Sequence, residues 1–384
     1  MVEWKELKDV FDTRNGYTPS TSNDAFWEGG NIPWFKMEDI RDNGNILNDS
    51  YLHITDKAIK GKGLFKANSI LLATSATIGE HALIEVEHLS NQRFTNFYPK
   101  KEYEQLINMR YAYYYMFIID EWCRQHVNQG GFASVDMSGL YKQLFPIPSH
   151  SEQQRIVGIL DTFTNSIENL KEQIAQRRKQ YEYYRDQLLD LEGKEGVEMK
   201  SIKDVCRKIC SGGTPSTSKH EYYGGSIPWL RTQEVDWKEI YDTEIKITEE
   251  AIANSSAKII PENCVIIAMY GATAAKSAIN KIPLSTNQAC CNLEIDNKKA
   301  MYKYVFYWLC KEYQNLKAMG EGSQNNINGQ KVKDYPIPIP SLSEQQRIVS
   351  ILDTFEASIK NLEAQLKQRQ RQYEYYRNKL LTFE

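Results

Sequence analysis

Residues 151–189, SEQQRIVGILDTFTNSIENLKEQIAQRRKQYEYYRDQLL, recur almost unchanged as residues 343–381, SEQQRIVSILDTFEASIKNLEAQLKQRQRQYEYYRNKLL. Of these 39 positions, 27 are identical, at an offset of 192 residues that is half the length of the 384-residue chain. An internal repeat at a fixed offset indicates one structural unit that is used more than once. The sequence therefore predicts a tandem duplication.

The similarity between the halves continues more faintly upstream of each segment. The matching fragments are residues 18–22 with 214–218, 32–34 with 227–229, 91–92 with 287–288, and 146–149 with 338–341. We therefore expect a globular domain over residues 1–150, a spacer helix over 151–190, a linker over 191–198, a second globular domain over 199–342 and a second spacer helix over 343–384.

Each repeated segment has the apolar spacing of a coiled coil. Ser151 and Gln154, and likewise Ser343 and Gln346, have the spacing of a helix-capping box. Apolar residues then alternate at steps of four and three, a pattern that predicts a two-helix seam, although an amphipathic helix on a globular core stays the alternative. The predicted seam residues are Ile156, Leu160, Phe163, Ile167, Leu170, Ile174, Tyr181, Tyr184 and Leu188, then Ile348, Leu352, Phe355, Ile359, Leu362, Leu366, Tyr373, Tyr376 and Leu380. One arginine interrupts each stripe, Arg177 or Arg369.

Both seams lie in one chain, so pairing within the chain is the simplest arrangement. If a pseudo-twofold axis relates the halves, the two helices are antiparallel and separate the globular domains. A 39-residue helix spans roughly 58 Å at 1.5 Å per residue. The predicted fold class is thus α+β, with two globular domains separated by a long antiparallel two-helix coiled coil. Within the globular domains, residues 69–74 and 264–269 predict buried strands, and residues 103–127 and 301–319 predict helices.

The composition is that of a soluble globular protein, with 41% hydrophobic and 25% charged residues. No apolar run reaches the ~20 residues of a membrane helix, and the first residues lack a signal-peptide pattern, which predicts an intracellular, cytoplasmic protein. The seven cysteines form no CxxC pair and do not cluster with the six histidines, so we expect no metal site. A formal net charge of -3 means that any binding to nucleic acid needs locally arranged basic residues.

Taken together, the two variable regions, the PIPxPSxxEQQRIV-like junctions and the duplicated helix resemble the specificity (S) subunit of type I restriction-modification systems. This resemblance covers the whole chain. It implies two target recognition domains, each binding one half of a split, asymmetric target in double-stranded DNA. It further implies helices that bind two modification (M) subunits, which carry S-adenosylmethionine and methylate adenine N6, and restriction (R) subunits that use ATP and Mg2+ for translocation and cleavage.

The residues themselves predict no catalysis by this chain. There is no Pro-Pro dipeptide, which the loop of an adenine methyltransferase requires, and no GxxxxGK[ST] phosphate loop. No Pro-Asp precedes a Glu-x-Lys pair of the nuclease type. We therefore expect a non-catalytic DNA-recognition subunit that holds no cofactor of its own. Two alternatives are a helical scaffold or lone S-like protein that does not bind DNA, and an enzyme whose site has no recognisable motif.

Side chains that can pair with base edges or phosphates are the candidate DNA contacts. In the first region they are Thr18, Ser20, Lys36, Arg41, Thr74, Ser75, Thr77, Gln92 and Arg93. In the second region they are Thr214, Ser216, Arg231, Gln233, Tyr270, Thr273, Lys276, Gln288, Ser323, Gln324 and Asn325. A plain turn is the alternative for the Thr-Pro-Ser segments, and a solvated loop is the alternative for the polar run 322–328. Tyr183 and Tyr375 lie off the seam and are candidates for contact with a partner subunit.

Overall fold

A computed structural model describes residues 2–128, 133–321 and 326–383 of the chain. These residues form two compact units. The first unit comprises Met1–Asn169 and Gln365–Glu384, and the second comprises Leu170–Ala364. Each unit combines sheets with helices, so the predicted α+β class is confirmed.

The first unit is built on a five-stranded sheet of order β2-β9-β6-β7-β4 and a three-stranded sheet of order β5-β3-β8. Its strands are β1 (Glu3–Glu6), β2 (Phe11–Asn15), β3 (Ile32–Phe35), β4 (Ile46–Leu47), β5 (His53–Ile54), β6 (Ser69–Ala73), β7 (His81–Ile84), β8 (Leu89–Ser90), β9 (Phe94–Pro99), β10 (Val127–Asn128), β11 (Ser134–Val135) and β12 (Leu144–Ile147). Its helices are α1 (Leu7–Val10), α2 (Met37–Asn43), α3 (Met109–Gln125), α4 (Met137–Tyr141) and the first part of α5 (His150–Leu188).

The second unit repeats this plan with a five-stranded sheet of order β14-β22-β19-β20-β16 and a four-stranded sheet of order β17-β15-β21-β18. Its strands are β13 (Glu198–Ser201), β14 (Cys206–Ser211), β15 (Tyr223–Leu230), β16 (Glu239–Ile240), β17 (Ile245–Ile247), β18 (Ile259–Ile260), β19 (Val265–Ala268), β20 (Ser277–Asn280), β21 (Leu284–Thr286), β22 (Cys290–Ile295) and β23 (Pro336–Ile339). Its helices are α6 (Ile202–Val205), α7 (Glu249–Ala253), α8 (Tyr302–Lys311), α9 (Tyr313–Ala318), α10 (Gly329–Asp334) and the first part of α11 (Leu342–Leu381).

The central strand of each large sheet is buried on both faces. Along β6, Ile70 and Leu72 pack with α3, whereas Leu71 and Ala73 pack into the core beneath the small sheet. Side chains alternate across a strand, so a strand covered on both faces appears in sequence as a continuous apolar run. Strand β19 divides its side chains between two cores in the same way.

The two predicted helices of the globular regions are shorter than the apolar pattern indicates. Helix α3 covers only part of the predicted span 103–127. The predicted span 301–319 is two helices, α8 and α9, which are separated at Glu312. The Glu312 carboxylate accepts hydrogen bonds from the Tyr335 hydroxyl at 2.6 Å and from Asn315 Nδ2 at 2.7 Å. These bonds tie the break to α9 and to the segment that follows α10.

Both long helices form, but the predicted caps at Ser151 and Ser343 are wrong. Helix α5 begins at His150, and the hydroxyl of Ser149 accepts from the backbone N–H of Glu152 at 3.3 Å. The matching bond in α11 runs from the backbone N–H of Glu344 to the Ser341 hydroxyl, also at 3.3 Å. The cap therefore lies two residues earlier, at the preceding serine, because Ser149 also has an acidic residue three positions further on.

Within each unit, the predicted seam contributes aromatic pairs between the two long helices. In the first unit, the rings of Phe163 and Tyr376 stack at 5.3 Å, and the Arg369 guanidinium lies 5.6 Å from the Phe163 ring. These contacts show why an arginine interrupts the apolar stripe: its cation lies over an aromatic ring of the opposite helix.

The same arrangement occurs in the second unit. The rings of Tyr184 and Phe355 stack at 5.4 Å, and Arg177 lies 5.8 Å from Phe355. Arg178 also pairs with Glu363 at 2.6 Å, so α5 and α11 run antiparallel within this unit.

The remaining seam positions differ in their surroundings. Ile156 and Leu160 are buried in the first core with Tyr373 packed against it, and Ile348 and Leu352 are buried in the second core with Tyr181 packed against it. Ile174 is buried; those left partly buried are Ile167, Leu170, Leu188, Ile359, Leu362, Leu366 and Leu380. Among the residues that the structure describes, no helix combines the length and apolar character needed to cross a membrane.

Candidate nucleic-acid interface

In the first unit, the loop after β2, strand β3 and the turn between β8 and β9 meet at one end of the parallel strand pair β3–β8. The loop after β2 is held there by two bonds: the backbone N–H of Tyr17 donates to Ser90 O at 2.8 Å, and Trp34 Nε1 donates to Tyr17 O at 3.0 Å. At the tip of this loop, the Thr18 hydroxyl donates to Oε1 of Gln92 at 2.6 Å, and both side chains are exposed. Thr18 and Gln92, which the sequence predicts separately as DNA contacts, therefore form one pair.

The loop after β2, the parallel strand pair β3–β8 and the tryptophan bonded to the loop together form what we call the loop frame. The second unit has the same frame, built from the matching residues. The backbone N–H of Gly213 donates to Thr286 O at 2.9 Å, and Trp229 Nε1 donates to Gly213 O at 3.0 Å. The Thr214 hydroxyl donates to Oε1 of Gln288. Trp34 and Trp229 are each only 5% exposed, so both belong to the core and fix the loop from beneath.

A glycine is required where each loop passes the strand end. A Cβ at Gly16 would lie 2.2 Å from the backbone oxygen of Asn91, and a Cβ at Gly212 would lie 2.2 Å from that of Thr286. These contacts involve backbone atoms, which cannot rotate away as the end of a side chain can. The close approach of loop and strand is therefore available to glycine alone.

The loop between β6 and β7 lies beside this frame in the first unit. The backbone N–H of Thr74 donates to Arg93 O at 3.0 Å, and the Thr74 hydroxyl lies 3.0 Å from that of Thr95. Ser75 forms a β-bridge with Ser134, and the backbone N–H of Thr77 donates to Ser75 O at 2.9 Å. Thr74, Ser75 and Arg93 are therefore brought together.

The other first-unit candidates are placed differently. The Thr77 hydroxyl is buried and has no hydrogen-bond partner within the described part of the chain, so it faces inward. Arg41 on α2 pairs with Glu80 at 2.7 Å, and that bond raises its pKa. Ser20 bonds the hydroxyl of Ser22 at 3.0 Å. Lys36, directly after β3, and the exposed Arg93 have no ion-pair partner among the residues described.

In the second unit, the residue after the parallel strand is Arg231, and its charge is compensated. Its guanidinium lies 2.5 Å from Glu244 and 3.7 Å from Glu234, and the Gln233 carboxamide lies beside it. A guanidinium held by two carboxylates is less available to a phosphate or a base than the matching Lys36 of the first unit.

The loop between β19 and β20 carries the remaining second-unit candidates. The Thr273 hydroxyl donates to Thr232 O at 2.8 Å. Lys276 pairs with Asp236 at 2.7 Å and lies 4.2 Å from the Trp237 ring. Tyr270 is 41% exposed at the start of this loop. Ser216, on the loop after β14, bonds the hydroxyl of Ser218 at 2.8 Å.

Three candidates, Ser323, Gln324 and Asn325, lie outside the described residues. Their flanks are described: Glu321 and Asn326 exchange backbone hydrogen bonds of 3.0 Å, and the Ile327 N–H donates to Met269 O at 2.8 Å. The described residues that flank this polar run therefore lie beside the β19–β20 loop.

The hairpin of β10 and β11 is the first-unit counterpart that the sequence reasoning missed. Its Val135 N–H donates to Thr74 O at 2.9 Å, so this hairpin borders the β6–β7 loop. The repeat offset of 192 residues moves the segment 320–327 onto 128–135. That offset was the signal that could have identified the hairpin.

Four of the thiols of the second unit contribute no reactive group. Burial raises the pKa of Cys206, Cys264, Cys291 and Cys310 to about 12. A thiol with such a pKa is protonated at neutral pH and is a weak nucleophile and metal ligand. No group of three or more His, Cys, Asp or Glu side chains suited to a metal ion occurs among the residues the structure describes.

The chain matches the family model for the type I restriction modification DNA specificity domain twice, over residues 1–177 and 194–369. It is 48% identical to the type I restriction enzyme EcoprrI specificity subunit of Escherichia coli over 50% of this chain and 51% of that protein. It is 34% identical to the EcoR124I/EcoR124II specificity subunit of Escherichia coli over 72% of this chain and 71% of that protein. The match thus spans about half the length of the first relative.

Two solved structures share the fold across nearly the whole chain. The S subunit of a type I restriction-modification system from M. genitalium aligns with a TM-score of 0.59 at 14% identity, covering 100% of this chain and 97% of that chain. A chain from a structure on complex assembly and conformational transition of the type I R-M system aligns with a TM-score of 0.68 at 16% identity, covering 99% and 97%. At these identities the likeness is one of fold.

Proposed function

The chain belongs to the type I restriction-modification DNA specificity family, and on that premise we propose that it recognises a bipartite, asymmetric target in double-stranded DNA. Each unit binds one half of the target through the loops at the end of its parallel strand pair. The chain itself is non-catalytic and directs the modification and restriction subunits that assemble on it.

One observation carries this proposal: the same loop frame occurs twice, and the side chains on it differ. The Thr–Gln pair is present in both units. In contrast, the position after the parallel strand is Lys36 in one unit and the carboxylate-bound Arg231 in the other. Two similar surfaces with different chemistry are what an asymmetric two-part DNA sequence requires, since base edges are distinguished by hydrogen-bonding side chains.

The reactions belong to the partners in this proposal. Two M subunits supply S-adenosylmethionine and transfer its methyl group to adenine N6, and R subunits supply the ATP- and Mg2+-dependent cleavage. The assembled complex acts where the DNA is, in the cytoplasm. This chain contributes the choice of site.

Matched aromatic residues on the long helices support the binding of two equivalent partners. Tyr183 on α5 is 62% exposed, and Tyr375 on α11, at the same position of the repeat, is 60% exposed. Each packs edge-on against its neighbour, Tyr184 or Tyr376, which lies in the seam. Tyrosine is enriched in protein interfaces, so these two sites favour one M subunit on each copy of the repeated helix.

The test is to express the chain with its M subunits in a host that lacks adenine methylation and to map methylated adenines across the genome. We expect one bipartite motif with different halves, and no motif when the M subunits are expressed alone. Methylation that is absent, or that lacks a sequence motif, in a complex shown to assemble would overturn the proposal.

A further inference from the structure

The two units carry one exposed side-chain pair in the same setting. Thr18 donates to Oε1 of Gln92, and Thr214 donates to Oε1 of Gln288. Beneath each pair, a buried tryptophan holds the loop through a bond of 3.0 Å from its Nε1 to a backbone oxygen. The pair is therefore held in place in both units, although the neighbouring loops differ.

This geometry leaves each glutamine as a hydrogen-bond donor. Its Oε1 already accepts from the threonine, while Nε2 of Gln92 and of Gln288 has no partner among the residues described. A glutamine needs both its oxygen and its nitrogen to bind adenine in the bidentate manner. A glutamine that offers only N–H groups suits an acceptor, and DNA presents acceptors on every phosphate and on some base edges.

We infer that the Thr–Gln pair of each unit binds a backbone phosphate and positions that unit on the duplex without selecting bases; this rests on the proposed DNA-binding function. Because the two halves of an asymmetric target differ in sequence, a contact that is the same in both units must meet an acceptor that both halves offer. Phosphate is that acceptor. Base selection then belongs to the β6–β7 and β19–β20 loops and the segments beside them.

Phosphate binding also explains why the Thr–Gln pair is exposed and why a buried tryptophan holds its loop in place. Contacts to phosphate set the register of a protein on DNA, and they do so only if the donor has a fixed direction. The buried Trp34 and Trp229 are each 5% exposed and fix the loop backbone, and the threonine hydroxyl then fixes the glutamine.

The decisive variants are Gln92→Glu and Gln288→Glu. A glutamate has almost the same shape and still accepts the threonine hydrogen bond, so the loop keeps its internal contact. It replaces the outward N–H groups with a negative charge that repels phosphate. The control is Gln105→Glu, which makes the same change at another exposed residue. Gln105 follows Pro99, and Pro99 lies at the end of the β2–β9 strand pair that is farther from the Thr18 loop.

Each protein is assembled with its M subunits, and binding to target and non-target duplexes is measured at several salt concentrations. For each glutamate variant we expect about tenfold weaker binding or more, equal for both duplexes, because a hydrogen bond to a charged group is lost. The slope of log K against log salt should become shallower, because the new carboxylate offsets part of the positive charge that releases counterions from the DNA. The methylated motif should stay the same, and the control should match the wild type.

Three results would overturn the inference, and they have different meanings. A motif relaxed at one base position makes the glutamine a base contact. Unchanged affinity and slope make the pair a structural feature of the loop. A wild-type complex that binds no DNA overturns the proposed function itself, and this inference with it.

Discussion

The first and second units share the same arrangement of loop, parallel strand pair and tryptophan, but they differ in the charged side chains around it. In both, a glycine-containing loop crosses the end of a parallel strand pair and is bonded to a buried tryptophan. Around this frame, Arg41 pairs with Glu80 in the first unit, whereas Lys276 pairs with Asp236 in the second. The contacts that fix the backbone are therefore shared, and the charged groups that face outward are not.

The difference extends into the cores of the two units. His88 precedes β8 in the first unit, and the residue in register with it in the second is Leu284, because Trp34 pairs with Leu89 and Trp229 with Ser285. A duplication can thus vary an interior position as well as its surface. Variants that exchange features between the units therefore test which differences belong to recognition and which only to stability.

Exchanging residues 1–150 for the matching region of another specificity protein should have the largest effect. We expect one half of the methylated motif to change completely and the other half to stay, since each unit contains its own loops. Mapping of methylated adenines in cells that express the hybrid with its M subunits measures this. If both halves change together, the two units do not act independently.

The long helices were predictable from sequence because their apolar spacing is local and repeats over five heptads. The buried strands were also predictable, as continuous apolar runs between turn residues. The Thr18–Gln92 bond was not, because it joins residues that lie 74 positions apart in the chain. Each residue alone is an ordinary exposed polar side chain, and only the crossing of loop and strand brings them together.

The break between α8 and α9 shows the same limit. The span from 301 to 319 has a continuous helical pattern, but Glu312 at the break is only 9% exposed and bonds to Tyr335. That partner comes from a distant segment. Local periodicity predicted that helices occur here and could not predict where one ends.

Gly16→Ala and Gly212→Ala should each destabilise their own unit by about 2–4 kcal/mol, as a steric change in a tightly packed backbone does. In both, the added Cβ would lie 2.2 Å from a backbone oxygen. Protection of the adjoining strands from hydrogen exchange in the intact chain measures the loss. If only one of the two substitutions destabilised its unit, the two loop frames would be less alike than their contacts indicate.

Gly158→Ala provides the control for these glycine substitutions. Gly158 is exposed on α5, and a Cβ there meets nothing within 4 Å. The change should stabilise the chain by about 0.5–1 kcal/mol, because alanine favours a helix over glycine.

His88 makes the first unit sensitive to acid. Burial lowers the pKa of His88 from 6.5 to about 4, and the ring lies 5.4 Å from the rings of both Phe35 and Phe65. The folded state therefore disfavours the charged form. The stability of the first unit is therefore unaffected by His88 above pH 6.5. It falls as the pH drops from 6.5 toward 4, because the unfolded chain binds the proton in this range and the folded chain does not.

His88→Leu, which copies Leu284 of the second unit, should remove this acid sensitivity. Between pH 7 and pH 5 the wild type should lose about 2 kcal/mol more than the variant from the first unit. Hydrogen exchange of β8 and its neighbours at both pH values, corrected for intrinsic rates, measures the difference. Equal losses in the two proteins would mean that His88 is not the group responsible.

Glu356 should have the opposite pH dependence in the second unit, with a smaller effect than that of His88. It lies on α11 at a cavity of about 470 Å3 that Tyr181 and Phe306 also line. Burial is the main cause that raises the pKa of Glu356, Asp353 and Glu239 add to it, and Lys360 and Lys303 oppose it. In the first unit the repeat places Thr164 here, an uncharged residue that bonds Asp161 O at 3.1 Å.

A carboxyl whose pKa is raised in the folded state stabilises the fold when protonated, and this contribution is lost as the pH rises through the folded pKa. Glu356→Gln keeps the shape and removes the charge, so it should stabilise the second unit at pH 7 by about 1 kcal/mol. The advantage should shrink as the pH falls toward the ordinary glutamate range, because the wild type then becomes protonated too. Hydrogen exchange of α8 and α11 across that range measures this, with Glu363→Gln, which breaks the pair with Arg178, as a comparison on the same helix. A Glu356→Gln advantage that does not change with pH would instead attribute the gain to packing around the cavity and not to the charge of Glu356.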